Sequence, residues 1–213
     1  MIKIDFFTFN PFQENTYILS DETKECLIID PGCYDSSEKD ELERFIENQK
    51  LKPVKLLNTH CHIDHVLGNK FVADKYNLQL ELNFIEIPLL KAVTSYASQY
   101  GIYCEPSPEP FAFLNEGDKV TFGNSELAIL FTPGHSPGSI CFYNEKEKFI
   151  ISGDVLFQMS IGRTDLPGGD YDTLIKSIRE KLFVLDDEMK VYPGHGPRTT
   201  IGFEKKNNPF LNN

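Results

Sequence analysis

Histidine is scarce in this chain of 213 residues, which contains only five. Three of them, together with one aspartate, fall within six positions: His60, His62, Asp64 and His65. Neutral imidazole and carboxylate are ligands that zinc, iron and manganese accept. In an extended segment, alternate side chains point to the same side, so the first two histidines can reach one ion. The aspartate and the third histidine, at the turn into a helix, can face a second ion.

The remaining two histidines and a second aspartate stand in similar surroundings. His135, Asp154 and His195 each follow an apolar run that is typical of a strand, and glycine and proline flank both histidines. These flanking residues allow sharp turns. Strand ends that meet at one edge of a layered fold commonly carry a binding or catalytic site. The pattern therefore predicts that all five histidines belong to one site.

The elements that must position these residues can be predicted from hydrophobic periodicity. Four strands are predicted in the first part of the chain, over 2–9, 16–20, 25–30 and 54–58. An amphipathic helix is predicted over 36–50, with Leu42, Phe45 and Ile46 on its apolar face and Ser36 or Ser37 as the N-cap. A surface helix is predicted over 84–100 and a proline-rich loop over 101–110.

A second strand-rich region follows residue 115. Strands are predicted for the segments KVTFG, LAILFT, SICFYN, KFIISGD and MKVYPG. A helix is predicted over 171–183, with Asp172 as its N-cap. Two strand-rich halves, each with its own helices, indicate an α/β protein in which two sheets pack face to face with helices outside.

The amino-acid composition and net charge exclude some classes of binding partner. The formal charge is −11 and no block of Lys or Arg occurs, which argues against nucleic acid because phosphate binding needs a basic face. Five cysteines without a CxxC pair are typical of a reducing compartment, and no membrane span or signal peptide is recognisable. We therefore expect a cytoplasmic protein that binds neither nucleic acid nor membrane.

The order of the seven candidate ligands resembles that of the metallo-β-lactamase superfamily. Its HxHxDH signature matches the cluster at 60–65, and its later positions match His135, Asp154 and His195. The segments NPFQENTYIL and CLIIDPG extend the resemblance over nearly the whole chain. The resemblance implies an αββα sandwich, with two mixed sheets flanked by helices, as a single domain over 1–213.

The same resemblance implies two divalent metal ions, zinc first, with iron or manganese as alternatives. By that resemblance the ligands of one ion are His60, His62 and His135, the ligands of the other are Asp64, His65 and His195, and Asp154 bridges them. Such a pair holds a bridging hydroxide at neutral pH that attacks a carbonyl carbon. Asp64 is then the catalytic residue that orients the hydroxide. Cys61, between two ligands, is expected to be a buried structural thiol.

Two further features of the sequence indicate which branch of the superfamily it resembles. Classical zinc β-lactamases have arginine where this chain has His65, and cysteine where it has Asp154. The segment SIGRTDLPGGD over 160–170 resembles a loop of glyoxalase II and of the persulfide dioxygenases. In these proteins a basic residue of the loop holds a substrate carboxylate, which implies that role for Arg163. The alternative is that this arginine pairs with Asp165 or Asp170.

The sequence thus resembles the short, single-domain glyoxalase II-like proteins, since only 18 residues follow His195. The function predicted is hydrolysis of a small anionic thioester such as a hydroxyacylglutathione, by a monomer or homodimer. A mononuclear iron persulfide dioxygenase, with iron on His62, His135 and Asp154, is a second hypothesis. A hydrolase of a non-glutathione ester or lactone, and a metal-binding protein without catalysis, also fit the motifs.

Overall fold

The computed structural model describes residues 1–212, and the chain divides into two compact units. One unit comprises residues 1–114 and 121–125, and the other comprises residues 115–120 and the chain from 126 onward. These units correspond to the two strand-rich halves that hydrophobic periodicity predicts. The prediction that residues 1–213 form a single domain stays a prediction.

A mixed six-stranded sheet organises the first unit. Its strands are β1 (Lys3–Phe9), β2 (Glu14–Ser20), β3 (Glu25–Ile29), β4 (Lys52–Leu57), β5 (Leu80–Leu82) and β6 (Ala112–Phe113). They are ordered β1-β2-β3-β4-β5-β6, antiparallel from β1 to β3 and parallel from β3 to β6. The four predicted strands coincide with β1 to β4 and are confirmed.

Helices cover the apolar residues of this sheet. They are α1 (Ser36–Gln49), α2 (Ile63–Val66), α3 (Asn69–Tyr76) and α4 (Ile87–Tyr96), with 3₁₀ turns at Phe84–Glu86 and Ala97–Tyr100. Helix α1 buries Leu42 and Ile46, and Phe45 packs against the same core, as its periodicity predicts. The helix predicted over 84–100 is confirmed, with 3₁₀ turns at both ends and Pro88 in the first turn of α4, where proline is favoured. The loop predicted over 101–110 is confirmed.

The second sheet is also mixed. The second half of the chain contains β7 (Lys119–Phe122), β8 (Ser125–Phe131), β9 (Ile140–Asn144), β10 (Phe149–Gly153), β11 (Leu156–Phe157), β12 (Ser160–Ile161), β13 (Lys190–Pro193) and β14 (Thr199–Thr200). The sheet order is β14-β13-β10-β9-β8-β7, with β10 and β13 parallel, while β11 and β12 form a separate hairpin. The five strands predicted in this half are confirmed.

The helices of this half are α5 (Tyr171–Ser177), which continues into a π-helical turn (Ile178–Leu182), and α6 (Ile201–Asn207). Leu174, Ile178 and Ile201 are buried in the core of the second unit. In residues 1–212, no helix is long and apolar enough to cross a membrane.

Both predicted helix caps are wrong by one or two residues. Asp35, not Ser36 or Ser37, caps α1, since its carboxylate accepts the backbone N–H of Glu38 at 2.9 Å. Asp170, not Asp172, caps α5 through the N–H of Thr173 at 2.8 Å. An N-cap residue must itself have extended backbone angles and reach the third N–H beyond it. When several cap-forming residues stand side by side, composition does not decide among them.

Candidate metal centre

The loop after β4 and the helix α2 that follows it carry the cluster of three histidines and one aspartate. His60 and His62 precede α2, and Asp64 and His65 lie on it. All four residues are buried. The ring of His60 lies 4.8 Å from that of His62 and 4.1 Å from that of His65, measured between centroids. The structure therefore brings together the three imidazoles that the sequence predicts to be ligands.

Asp30, which directly follows β3, holds this loop in place through its carboxylate. Its Oδ1 accepts the backbone N–H of Thr59 at 2.7 Å and the amide of Asn58 at 3.3 Å. Its Oδ2 accepts the hydroxyl of Thr59 at 2.6 Å and faces Nδ1 of His65 at 3.1 Å. Asp30 is a residue that the sequence analysis missed, although it ends a predicted strand directly before Pro31 and Gly32.

These hydrogen bonds select the ring tautomers of two histidines. The single hydroxyl hydrogen of Thr59 goes to Asp30, so the contact of 3.0 Å between Thr59 Oγ1 and His60 Nδ1 requires an N–H on the histidine. His65 Nδ1 likewise donates to a carboxylate. In a neutral ring, the Nε2 atom of each then carries the lone pair. Metal-ligating histidines typically donate their second ring nitrogen in this way.

Asp30, His60 and His65 each place one ligand atom within 4.8 Å of the others. A metal ion bound by this trio would compete with the protein, because both oxygens of Asp30 already accept hydrogen bonds. Asp30 therefore fits the role of a support for the histidines better than that of a ligand.

Two more buried side chains fix the backbone of the loop. Glu86, fully buried, accepts the N–H of Cys61 at 2.7 Å. The amide of Asn10 donates to the carbonyl of Asp64 and to that of Gly32, each at 3.0 Å. The sequence analysis missed both residues. No local signal marks Glu86, whereas Asn10 lies in the segment NPFQENTYIL that carries part of the family resemblance.

Gly32 shows how closely the polypeptide is packed behind the cluster. A Cβ atom at this position would lie 2.1 Å from Glu14 Oε2 and 2.8 Å from the carbonyl of Asp64. Glu14 is completely buried, and burial raises the pKa of its carboxyl group well above the ordinary value, although His65 opposes that shift. Only glycine fits here without displacing the backbone that carries Asp64.

Cys61 lies in the core of the first unit and is fully buried, which confirms the expectation of a buried thiol. Burial raises its pKa well above the ordinary value, and the carboxylates of Glu86 and Asp30 add to the shift. The thiol is therefore protonated at neutral pH and unsuited to act as a nucleophile.

The second unit brings together the other three candidate ligands. His135 follows β8, Asp154 follows β10 and His195 follows β13, as predicted. One carboxylate oxygen of Asp154 lies 3.5 Å from His135 Nε2 and 3.4 Å from His195 Nε2. Asp154 thus stands between two imidazoles, which is the arrangement expected of a bridging carboxylate.

The loop after Asp154 orients His135 through its backbone. His135 Nδ1 donates to the carbonyl of Arg163 at 2.7 Å, which leaves the lone pair of a neutral ring on Nε2. Gly162 lets the loop pass this close, because a Cβ there would lie 1.9 Å from the carbonyl oxygen of Asp154 and 3.1 Å from the Cβ of His135. Part of the GRTD motif is thereby explained by close packing.

The side chain of Arg163 forms a two-pronged ion pair with Asp165. Its Nε and Nη2 donate to the two carboxylate oxygens at 2.7 and 2.6 Å. The guanidinium lowers the pKa of Asp165 to about 2. Both side chains are exposed, at 61% and 68%. The predicted pairing with Asp165 is therefore observed, and the substrate-binding role of Arg163 stays a prediction.

The donor chemistry of both units fits divalent metal ions. His65 Nε2 lies 3.6 Å from Asp64 Oδ2, and His135 Nε2 lies 3.5 Å from Asp154 Oδ2. In both histidines Nδ1 carries the hydrogen of the neutral ring, so Nε2 can only accept. The carboxylate oxygen that faces Nε2 is also an acceptor. A cation between them would satisfy both. Histidine and aspartate are a ligand set that zinc, iron and manganese share.

Comparison with known proteins identifies the family. The family model described as the metallo-beta-lactamase superfamily matches residues 9–195. A relative from Haemophilus influenzae, named hydroxyacylglutathione hydrolase GloC, is 38% identical over 99% of both chains.

Two solved structures are also similar to this chain. The B3 metallo-beta-lactamase BLEG-1 is 37% identical, with a TM-score of 0.90 over the full length of both chains. TTHA1623, solved in a di-iron-bound form, is 37% identical, with a TM-score of 0.88 over 97% of this chain and 100% of its own. The predicted α/β fold with two mixed sheets and flanking helices is confirmed. The chain belongs to the metallo-β-lactamase superfamily.

Proposed function

We propose that this protein is a dinuclear metal-dependent hydrolase that cleaves a small thioester such as a hydroxyacylglutathione. The observation that carries the proposal is the pairing of His65 with Asp64 and of His135 with Asp154, with each ring held by its other nitrogen. The GloC relative supports a thioester as the substrate class.

The proposed ligand sets are those that the family resemblance implies. One ion would bind to His60, His62 and His135, the other to Asp64, His65 and His195, and Asp154 would bridge them. Zinc is proposed first, with iron or manganese as alternatives, since one structural relative is a di-iron form. A cytoplasmic location, and a monomer or homodimer that binds neither nucleic acid nor membrane, also stay predictions.

When bound, two divalent ions polarise a carbonyl and lower the pKa of coordinated water. The residues of the chain would then divide the remaining tasks. Asp64 would orient the water that attacks the carbonyl. The amide of Asn10 holds the backbone of Asp64 in place for this role. Asp30 keeps His60 and His65 in the tautomer that leaves Nε2 available. Neither step needs a serine or cysteine nucleophile, and Cys61 is buried and protonated.

Arg163 would hold a carboxylate of the substrate by two parallel hydrogen bonds. It already does this with Asp165, whose two oxygens imitate such a carboxylate. A substrate would therefore have to displace Asp165. Because the pair is exposed, solvent screens it and its net contribution to stability is small, so a substrate carboxylate can displace Asp165.

The test is turnover of S-lactoylglutathione by zinc-reconstituted protein, beside a double variant with His60→Ala and His62→Ala. We expect hydrolysis by the native chain, a loss of at least ~100-fold in the double variant, and no oxygen uptake with glutathione persulfide. Asp35→Asn serves as a control, because asparagine also caps helices well. A native rate no higher than that of the double variant would end the proposal. Oxygen uptake with one iron per chain would establish the dioxygenase instead.

A further inference from the structure

Three aromatic side chains of the first unit contact one another in series. The ring centroids of Phe12 and Tyr100 are 5.7 Å apart, and those of Tyr100 and Tyr96 are 6.2 Å apart. Both contacts are edge-to-face, at 75° and 74°, which is a favourable geometry for aromatic pairs. We call Phe12, Tyr96 and Tyr100 the aromatic wall.

One end of the aromatic wall is fixed beside Asp64. The N–H of Phe12 donates to Asn10 Oδ1 at 3.0 Å, and the amide of Asn10 donates to the carbonyl of Asp64 at 3.0 Å. Glu38 in turn accepts the N–H of Asn10 at 2.7 Å. Two hydrogen bonds thus connect the backbone of Phe12 to the backbone of Asp64, the residue proposed to be catalytic.

The other end also lies near Asp64. Tyr96 is the last residue of α4, which packs against α2, the helix that carries Asp64. Burial and then the charge of Asp64 raise the pKa of Tyr96 to about 12. The phenol is therefore protonated at neutral pH, and the face it presents carries no charge.

Core packing accounts for only part of this arrangement. Phe12 and Tyr96 are partly buried and pack against the core of the first unit, but Tyr100 remains 54% exposed although it contacts both rings. An exposed aromatic ring beside a candidate reactive centre is typical of a ligand-binding surface. An aromatic surface stabilises a bound ligand through dispersion and through burial of apolar area. A small acyl group such as lactoyl has little apolar area to bury there.

We propose that the aromatic wall receives an apolar group adjacent to the scissile carbonyl, so that the substrates are thioesters of aryl- or bulky alkyl-substituted acids. The inference rests on the proposed function and narrows it. It assigns Phe12, Tyr96 and Tyr100 as residues that determine acyl specificity, a role that the sequence analysis did not give them.

The first experiment compares S-mandeloylglutathione with S-lactoylglutathione on zinc-loaded protein. The two share a thiol and a hydroxyl group and differ by a phenyl in place of a methyl. We expect kcat/KM to be on the order of fivefold or more higher for the mandeloyl substrate, because the phenyl ring buries more apolar surface. In Tyr100→Ala the ratio of kcat/KM for the mandeloyl substrate to kcat/KM for the lactoyl substrate should fall to about two or less. Phe12→Ala is a second variant with the same expectation.

Phe6→Ala is the matched control, because Phe6 is also 54% exposed but lies on β1 outside the aromatic wall. It should keep the native ratio. A native ratio near one, or a ratio that Tyr100→Ala and Phe12→Ala leave unchanged, would overturn the inference. Thermal melts confirm that each variant is folded before its ratio is interpreted.

A binding measurement separates this inference from the proposed function. Calorimetry with mandelate and lactate on the zinc-loaded protein requires no hydrolysis and no glutathione. We expect mandelate to bind on the order of fivefold tighter to the native chain, and this preference to disappear in Tyr100→Ala. If no thioester is cleaved but the preference is found, the proposed function fails alone. If thioesters are cleaved but the two acids bind equally, the aromatic wall fails alone.

Discussion

Two segments of the molecule carry proposed functional groups, and they differ in how firmly these groups are held in place. In the 58–65 loop of the first unit, the candidate ligands are buried, and Asp30, Glu86 and Asn10 hold its backbone and rings. In the 160–170 loop of the second unit, the ion pair of Arg163 and Asp165 is more than 60% exposed. The difference indicates that the proposed metal ligands are fixed before any ion binds, whereas the group proposed to meet the substrate is held by a contact that can be exchanged.

The largest effect should follow from breaking the fixed loop at Asp30. Asp30→Asn replaces one acceptor oxygen by an NH2 group, so either the two donors at Oδ1 or the two donors at Oδ2 lose their acceptor. We expect the free energy of unfolding to fall by about 3 kcal/mol or more, and metal affinity to fall by about 10–100-fold. Urea unfolding and metal titration measure these quantities. Asp35→Asn, at an exposed helix cap of the same unit, should change neither by much.

A smaller effect should follow from crowding the buried start of the second loop. Gly162→Ala places a methyl group where the carbonyl oxygen of Asp154 would be 1.9 Å away. We expect a loss of about 1–3 kcal/mol in stability, since the backbone must shift to relieve the overlap. Gly117→Ala is the reference for backbone strain without overlap, because its added Cβ meets no atom within 4 Å while its φ of +87° is unfavourable for alanine. An unchanged stability in Gly162→Ala would contradict the close packing inferred for the loop.

Much of the candidate site could be predicted from sequence, because the candidate ligands stand at the ends of apolar strands within short motifs. The supporting residues could not, since their partners are far away along the chain. His65 and Asp30 are 35 positions apart, Cys61 and Glu86 are 25 apart, and Asp64 and Asn10 are 54 apart. The strands were predictable from hydrophobic periodicity. The caps of α1 and α5 were not, because the choice among neighbouring cap-forming residues depends on backbone angles.

The exposed part of the second loop should respond with a change in binding and almost none in stability. Asp165→Asn removes the competing carboxylate, so we expect KM for an anionic thioester to fall by about two- to fivefold, with little change in the free energy of unfolding. Because Arg163 lowers the pKa of Asp165 to about 2, this carboxylate stays charged as pH falls until near that value. The effect of the substitution should therefore be constant between pH 5 and 8.

Glu116→Gln is the control for this prediction, because it breaks an exposed ion pair with Lys181 in the same unit. It should leave KM unchanged. A rise in KM in Asp165→Asn would mean that Asp165 positions Arg163 for the substrate, and the description of this contact as exchangeable would be wrong.

The measurement that tests the central claim most directly is the rate of S-lactoylglutathione hydrolysis as zinc is added back to metal-free protein. The account predicts a rate that rises until two zinc ions are bound per chain and then stays constant. A rate that is maximal at one ion per chain, or no hydrolysis after two ions are bound, would contradict a dinuclear thioester hydrolase.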